Sequence, residues 1–98
     1  MKRVTYLIIA EIELAEAAQY YNNQQSGLGK TFLEAVRAAE ERIQRHPEAW
    51  ALHGKPVRGC RVAPFPHRML YRELPDRIQV VAVAHPSRRP GYWKNRLS

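Results

Sequence analysis

The chain has 98 residues, of which 45% are hydrophobic, and 16 Lys and Arg against 9 Asp and Glu give a formal net charge of +7. This length suits one domain with its own hydrophobic core, and we expect residues 1–98 to form a single domain. The composition excludes the intrinsically disordered class. The longest apolar run, Val80 to Ala84, is far shorter than the ~20 residues of a membrane-spanning helix, so we expect no membrane association of that kind.

The cysteine and histidine content bears on compartment and cofactors. Cys60 is the only cysteine, so no intramolecular disulfide can form and nothing in the composition indicates secretion. We therefore expect a cytoplasmic protein. The four histidines lack the spacing of a zinc site, and we expect no metal and no other cofactor.

The N-terminal half predicts one strand followed by two helices. Residues 3–9 are rich in β-branched and aromatic side chains and predict a short buried strand. From Glu11 the apolar residues recur at helical spacing, until the polar run 22–27 breaks the pattern. A second helix follows and ends before Pro47. Its apolar positions are Leu28, Phe32, Val36, Ala39 and Ile43. Two helices joined by a short polar turn predict an antiparallel hairpin.

The C-terminal half predicts three strands and a tail. The strands cover residues 57–62, 65–74 and 78–85, and the last of them is the most apolar. The order β-α-α-β-β-β indicates an α+β fold, with a single small sheet and an antiparallel three-stranded meander. We expect the helical hairpin on one face of this sheet. The other face is then concave or exposed and partly basic, and the tail lies outside the core.

Charge divides the chain at its middle. Residues 1–49 contain six Lys or Arg and seven Asp or Glu, whereas residues 50–98 contain ten and two. The excess extends into the tail from His85 to Arg96. Like charges crowded on one side repel one another in the folded state, so the pattern favours an anionic partner: nucleic acid, an acidic protein surface or a membrane surface.

Several segments, taken in order along the chain, resemble those of a known toxin family. They are Tyr20-Tyr21, Gly27-Leu28-Gly29, Phe32-Leu33, Ile43, His46-Pro47, Phe65-Pro66-His67-Arg68-Met69-Leu70-Tyr71, Val81-Ala82-Val83-Ala84-His85, Arg88, Pro90, Tyr92-Trp93 and Arg96. With them the chain resembles the ParE/RelE superfamily of toxins from bacterial and plasmid type II toxin–antitoxin, or plasmid-stabilisation, systems. The resemblance covers nearly the whole chain and implies the fold already predicted from periodicity.

The resemblance implies two alternative activities. ParE-like toxins poison DNA gyrase, and RelE-like toxins are metal-independent endoribonucleases that cut mRNA on the ribosome. We expect the ParE-like activity first, because the Tyr92-Trp93 pair is more similar to that branch and the basic cluster of RelE-like enzymes is only partly matched. In both branches a cognate antitoxin with an acidic segment wraps and neutralises the toxin. A basic nucleic-acid-binding module or a non-toxic member is a third alternative, and the sequence leaves a homodimer or a toxin–antitoxin hetero-oligomer open.

The candidate site residues follow from the two activities. If the protein is a nuclease, His85 is a general acid or base, Arg61 and Arg68 hold the phosphate and Tyr92 is the late catalytic tyrosine. The candidates for target or phosphate binding are Arg58, Arg88, Arg89, Trp93 and Arg96. Each candidate also has a purely structural interpretation: His85 ends a strand, the arginines are solvated strand edges, and Tyr92 and Trp93 anchor the tail.

Overall fold

A mixed five-stranded sheet with two helices on one face forms the scaffold. The computed structural model describes residues 1–97. Its elements are β1 (Arg3–Tyr6), α1 (Ile8–Gln24), α2 (Leu28–Arg45), β2 (Ala51–Leu52), β3 (Arg58–Arg61), β4 (Arg68–Glu73), β5 (Arg77–Ala84) and a 3-10 turn at Lys94–Leu97. The strand order is β1-β5-β4-β3-β2, with β1 parallel to β5 and the other pairs antiparallel. The predicted α+β fold is confirmed, and β2 is a short strand that the sequence did not predict.

The first strand is shorter than the prediction of residues 3–9. Leu7 has extended backbone, and its carbonyl oxygen already accepts the N–H groups of Ala10 (2.9 Å) and Glu11 (3.0 Å), which begins α1. Ile8 and Ile9 are therefore helical and exposed. The β-branched character of these residues is a weak preference that tertiary context overrides.

The helical hairpin depends on two glycines. Gly27 has φ +88°, a conformation that favours glycine, and its N–H donates to Asn22 Oδ1 at 3.0 Å. A Cβ on Gly29 would lie 2.7 Å from the Ala18 carbonyl oxygen, so only glycine allows this close approach of α2 to α1. The predicted inner face of α2 is confirmed: Phe32, Val36, Ala39 and Ile43 are buried. Within residues 1–97 no helix is both long and apolar enough to cross a membrane.

The two faces of the sheet are covered differently. On β4, Met69 and Tyr71 pack with the helices, whereas Leu70 belongs to a second cluster on the opposite face. Leu70 pairs with Ala82 and Tyr71 with Val80, so Val81 is an extra residue on β5. This β-bulge breaks the alternation, and both Val81 and Ala82 point away from the helices.

The tail covers this second cluster. Trp93 is only 4% exposed and packs with Val57, Leu70, Val81 and Ala82. The expectation of a tail outside the core is therefore wrong, and the second face is covered rather than exposed. An uncovered sheet face with several large apolar side chains would leave a hydrophobic patch in water, and the tail removes it.

Candidate functional site

A buried ion pair fastens the tail to α1 and β5. The Arg96 guanidinium donates to both carboxylate oxygens of Glu13, at 2.8 and 2.9 Å, and to the Val81 carbonyl at 2.9 Å. Glu13 also accepts the Val83 N–H at 3.0 Å. Pairing between β1 and β5 stops at Val80 in the register, so this ion pair supplies partners to backbone groups on the unpaired half of β5. We therefore assign Arg96, a predicted target-binding residue, to the scaffold.

Tyr92 belongs to the same network. Its hydroxyl donates to Glu13 at 2.9 Å, and its ring lies 4.1 Å from the Arg88 guanidinium and 4.9 Å from that of Arg96. Burial, followed by the hydrogen bond to Glu13, raises the pKa of Tyr92 to about 12. In this state the phenol neither donates to a substrate nor ionises near neutral pH.

A basic hollow lies between the tail, the end of β5 and the start of β4. Its volume is about 310 Å³, and the described residues that line it include no carboxylate. The lining side chains that carry or can carry positive charge are His53, Arg68, His85, Arg88, Arg89 and Lys94. Among residues 1–97, no ion pair involves Arg68, Arg88 or Arg89. The hollow is therefore suited to an anion whose charge it does not itself neutralise.

His85 has a defined hydrogen-bonding state at the edge of this hollow. Its Nδ1 lies 3.0 Å from the backbone N–H of Ser87 and 2.7 Å from the Ser87 hydroxyl. Since a backbone N–H can only donate, Nδ1 accepts, and the neutral ring carries its proton on Nε2. His85 thus presents an N–H donor rather than a free lone pair at Nε2.

The fold positions the other cations of the hollow. Arg68 begins β4 and pairs across the ladder with Ala84, next to His85. Gly91 has φ +77°, and a Cβ there would lie 3.0 Å from Lys94 Cε, so glycine lets the lysine stem fold against the turn. A smaller hollow of about 190 Å³ lies on the other side of His85 and Arg88, and its lining includes Glu13 and Glu16.

His67 is buried behind His85. Its Nδ1 lies 3.2 Å from the Tyr21 hydroxyl, and the two imidazole rings are 5.1 Å apart. Burial, with a smaller contribution from the charge of His85, lowers the pKa of His67 to about 4. This residue is therefore neutral at physiological pH.

We expect His67 to make the fold acid-sensitive. Because the folded pKa is below the unfolded value of 6.5, the unfolded state binds more protons, and stability falls as pH drops from about 6.5 through about 4. The loss amounts to about 3 kcal/mol. Urea unfolding of the native protein and of His67→Phe across this range measures it. An equal pH dependence in both proteins would contradict the assignment to His67.

The predicted site residues do not all meet at one place. Those brought together at the hollow are Arg68, His85, Arg88 and Arg89, with Tyr92 and Trp93 forming its floor. Arg58 instead donates to the Trp50 carbonyl at 2.9 Å. Arg61 donates to the carbonyls of Phe65 and Pro64 in its own loop, at 3.0 and 3.2 Å. Because Trp93 is buried, we assign it to packing. The predicted nuclease residues His85, Arg61, Arg68 and Tyr92 do not form one free site, because Arg61 lies outside the hollow and the Tyr92 hydroxyl is bonded to Glu13.

The sequence reasoning missed three residues at this site. His53 and Lys94 line the hollow, but His53 lies in a bend and Lys94 begins the short 3-10 turn, where no periodicity marks a role. Glu13 was not among the predicted site residues. It is three residues from Ala10 and four from Ala17, both buried, so its position on the inner face of α1 was a readable signal.

Fold and site together define a small basic α+β protein in which a packed C-terminal tail completes an anion-accepting hollow. The family model described as ParE toxin of type II toxin-antitoxin system, parDE, matches residues 6–90. The chain therefore belongs to the ParE toxin family, and the resemblance drawn from its sequence motifs is confirmed.

Among solved structures, the chain is similar to one described as the chromosomal ParDE TA system from P. aeruginosa. The TM-score is 0.64 over 87% of this chain and 96% of that chain, at 15% sequence identity. At this identity the likeness shows the fold. A search of curated proteins found no match.

Proposed function

We propose that this chain is a type II toxin that inhibits growth by poisoning DNA gyrase and is neutralised by a cognate antitoxin with an acidic segment. The observation that carries the proposal is the hydrogen bond from the Tyr92 hydroxyl to Glu13, beside a hollow rich in cations. Such a site has the means to bind an anionic target, and its tyrosine hydroxyl is not free for acid–base chemistry.

The alternative, ribosome-dependent mRNA cleavage, needs more than phosphate binding. One group must take the 2′-OH proton and another must protonate the leaving oxygen. His85 accepts the Ser87 N–H at Nδ1, so its neutral ring has no free lone pair to take a proton and offers only an N–H hydrogen bond. His53 and Lys94 also line the hollow, but the hydroxyl of Tyr92, the predicted catalytic tyrosine, is held by Glu13, and His67 is buried and neutral. This supports binding over cleavage.

The antitoxin part of the proposal is supported by a second surface. A groove of about 510 Å³ runs along the helical hairpin and is lined largely by apolar atoms, including those of Leu14, Ala18 and Leu33. Ile8 and Ile12 are also exposed on α1. An antitoxin segment would complement this groove with apolar side chains and the net charge of +7 with acidic ones. Its affinity is then expected to fall as salt rises.

The decisive experiment compares two activities of the purified toxin. We expect gyrase supercoiling to fall with rising toxin concentration, while mRNA on translating ribosomes stays intact. His85→Ala is expected to retain gyrase inhibition to within about tenfold, because the ring contributes one hydrogen bond rather than proton transfer. Arg37→Gln, an exposed change on α2, is the control.

Two results would count against gyrase poisoning. The first is mRNA cut in phase with codons while supercoiling is unaffected. The second is a loss of toxicity of about 10² or more in His85→Ala, because a loss of this size is expected when a general acid or base is removed. Addition of the cognate antitoxin should restore supercoiling.

A further inference from the structure

We propose that the basic hollow binds a backbone phosphate of duplex DNA. The inference deepens the proposed function, on which it rests, since gyrase works on duplex DNA. The hollow offers the guanidinium groups of Arg68 and Arg88 and the Nε2–H of His85, all on exposed residues. These groups are donors without acceptor capacity toward the ligand, which matches a phosphate diester that only accepts.

Shape and charge favour a phosphate over an acidic peptide segment. The cations surround a concave space of about 310 Å³, large enough for one phosphate with its neighbouring sugar atoms. An extended acidic peptide instead needs a long groove with pockets for alternate side chains. Arginine is also suited to phosphate because its planar fork meets two oxygens at once.

The aromatic residues favour a duplex backbone over single-stranded RNA. Proteins that recognise single strands stack unpaired bases on open aromatic faces. The Tyr92 ring is contacted by the guanidinium groups of Arg88 and Arg96, at 4.1 and 4.9 Å, and Trp93 is only 4% exposed. Neither ring has an open face on which a base could stack. The site therefore contacts a phosphate and no base, as in sequence-independent DNA binding.

Two of the donors, Arg88 and His85, are held in place before a ligand arrives. Arg88 lies against the Tyr92 ring, which Glu13 fixes through the hydroxyl, and Ser87 holds His85 by Nδ1. Ordering flexible side chains is one of the main costs of binding, so this arrangement favours affinity. The same chain of contacts explains why a buried network on α1 matters for a surface hollow.

The test uses the full-length toxin and a short fluorescent DNA duplex without gyrase. We expect the double variant Arg68→Gln/Arg88→Gln to lose affinity by about tenfold or more, and the slope of log affinity against log salt to fall by about 1 to 2. Arg37→Gln/Arg45→Gln removes the same charge from exposed positions of α2 and is the matched control. We expect it to change affinity by about twofold or less.

Further arms distinguish the ligand and the site. In heteronuclear NMR, inorganic phosphate and the duplex should both change the chemical shift of the His85 Nε2 resonance. Circular dichroism confirms that each variant is folded. Equal losses in the site and control variants would overturn the proposal. Tighter binding of single-stranded RNA through the same arginines would also overturn it. So would a result in which binding of a polyglutamate peptide depends on these arginines while binding of the duplex does not.

The failure of this inference can be told from the failure of gyrase poisoning. If the site variants bind DNA normally while the native toxin inhibits supercoiling, the phosphate site is wrong and the gyrase target stands. If DNA binding depends on Arg68 and Arg88 while supercoiling is unaffected, the phosphate site stands and the gyrase target is wrong.

Discussion

Replacing Trp93 with alanine is expected to destabilise the protein by about 3–5 kcal/mol, the usual cost of removing a large buried aromatic side chain. Trp93 is the largest side chain in the cluster that covers Leu70, Val81 and Ala82. Its loss leaves a cavity in that cluster and loosens the tail. Urea unfolding followed by circular dichroism measures the change in the free energy of unfolding.

The neighbouring residue provides the control for this experiment. Lys94→Ala removes an exposed side chain from the same turn and is expected to change stability by no more than about 0.5 kcal/mol. A Trp93→Ala protein as stable as the native one would show that the tail does not belong to the core. Deletion of residues 86–98 should be at least as damaging as the single change.

This result bears on how tail variants are interpreted. The tail contributes both Trp93, which packs, and Arg88 and Arg89, which line the hollow. Loss of toxicity on deleting the tail therefore does not identify a target-binding segment. Point changes at exposed positions, with stability measured alongside activity, separate binding from folding.

The sequence predicted the helices and strands more successfully than the packing of the tail against the sheet. Helical spacing located the buried face of α2, and the most apolar predicted strand, 78–85, coincides with β5 to within one residue at each end. These patterns are local consequences of burial on one face. The boundary at Leu7 was missed because β-branched residues are tolerated in helices when tertiary contacts require it.

The candidate site was only half predictable for a physical reason. Arg68, His85 and Arg88 could be grouped because charge and the end of an apolar strand point to one end of the strands of the sheet. The roles of Glu13, Tyr92 and Arg96 depend on contacts across about 80 positions of the chain. Composition and periodicity carry no information about such pairs, and an arginine that binds an anion looks the same in sequence as one that binds a buried glutamate.

We expect Glu13→Ala to destabilise the protein by about 3–5 kcal/mol, because removing one partner of a buried ion pair leaves the other charge uncompensated. The Glu13 and Arg96 side chains are only 10% and 13% exposed, and the Val83 N–H also loses its acceptor. Glu16→Ala, one turn further along α1 and exposed, is the control. The double variant Glu13→Ala/Arg96→Ala should cost less than the sum of the two single changes.

The pH dependence gives a second test of Glu13. Burial alone would raise the pKa of its carboxyl, but the hydrogen bonds from Arg96, Val83 and Tyr92 outweigh burial and lower the pKa below 4.5. The stabilisation is therefore present above pH 4.5 and is lost as pH falls through the lowered value. Glu13→Gln should unfold with less dependence on pH below 4.5 than the native protein, whereas His67→Phe should change only the higher window. If both variants kept the native dependence of stability on pH, neither group would control acid unfolding. The contacts of Glu13 with Tyr92 and Arg96, which position Arg88, would then not be shown to stabilise the fold.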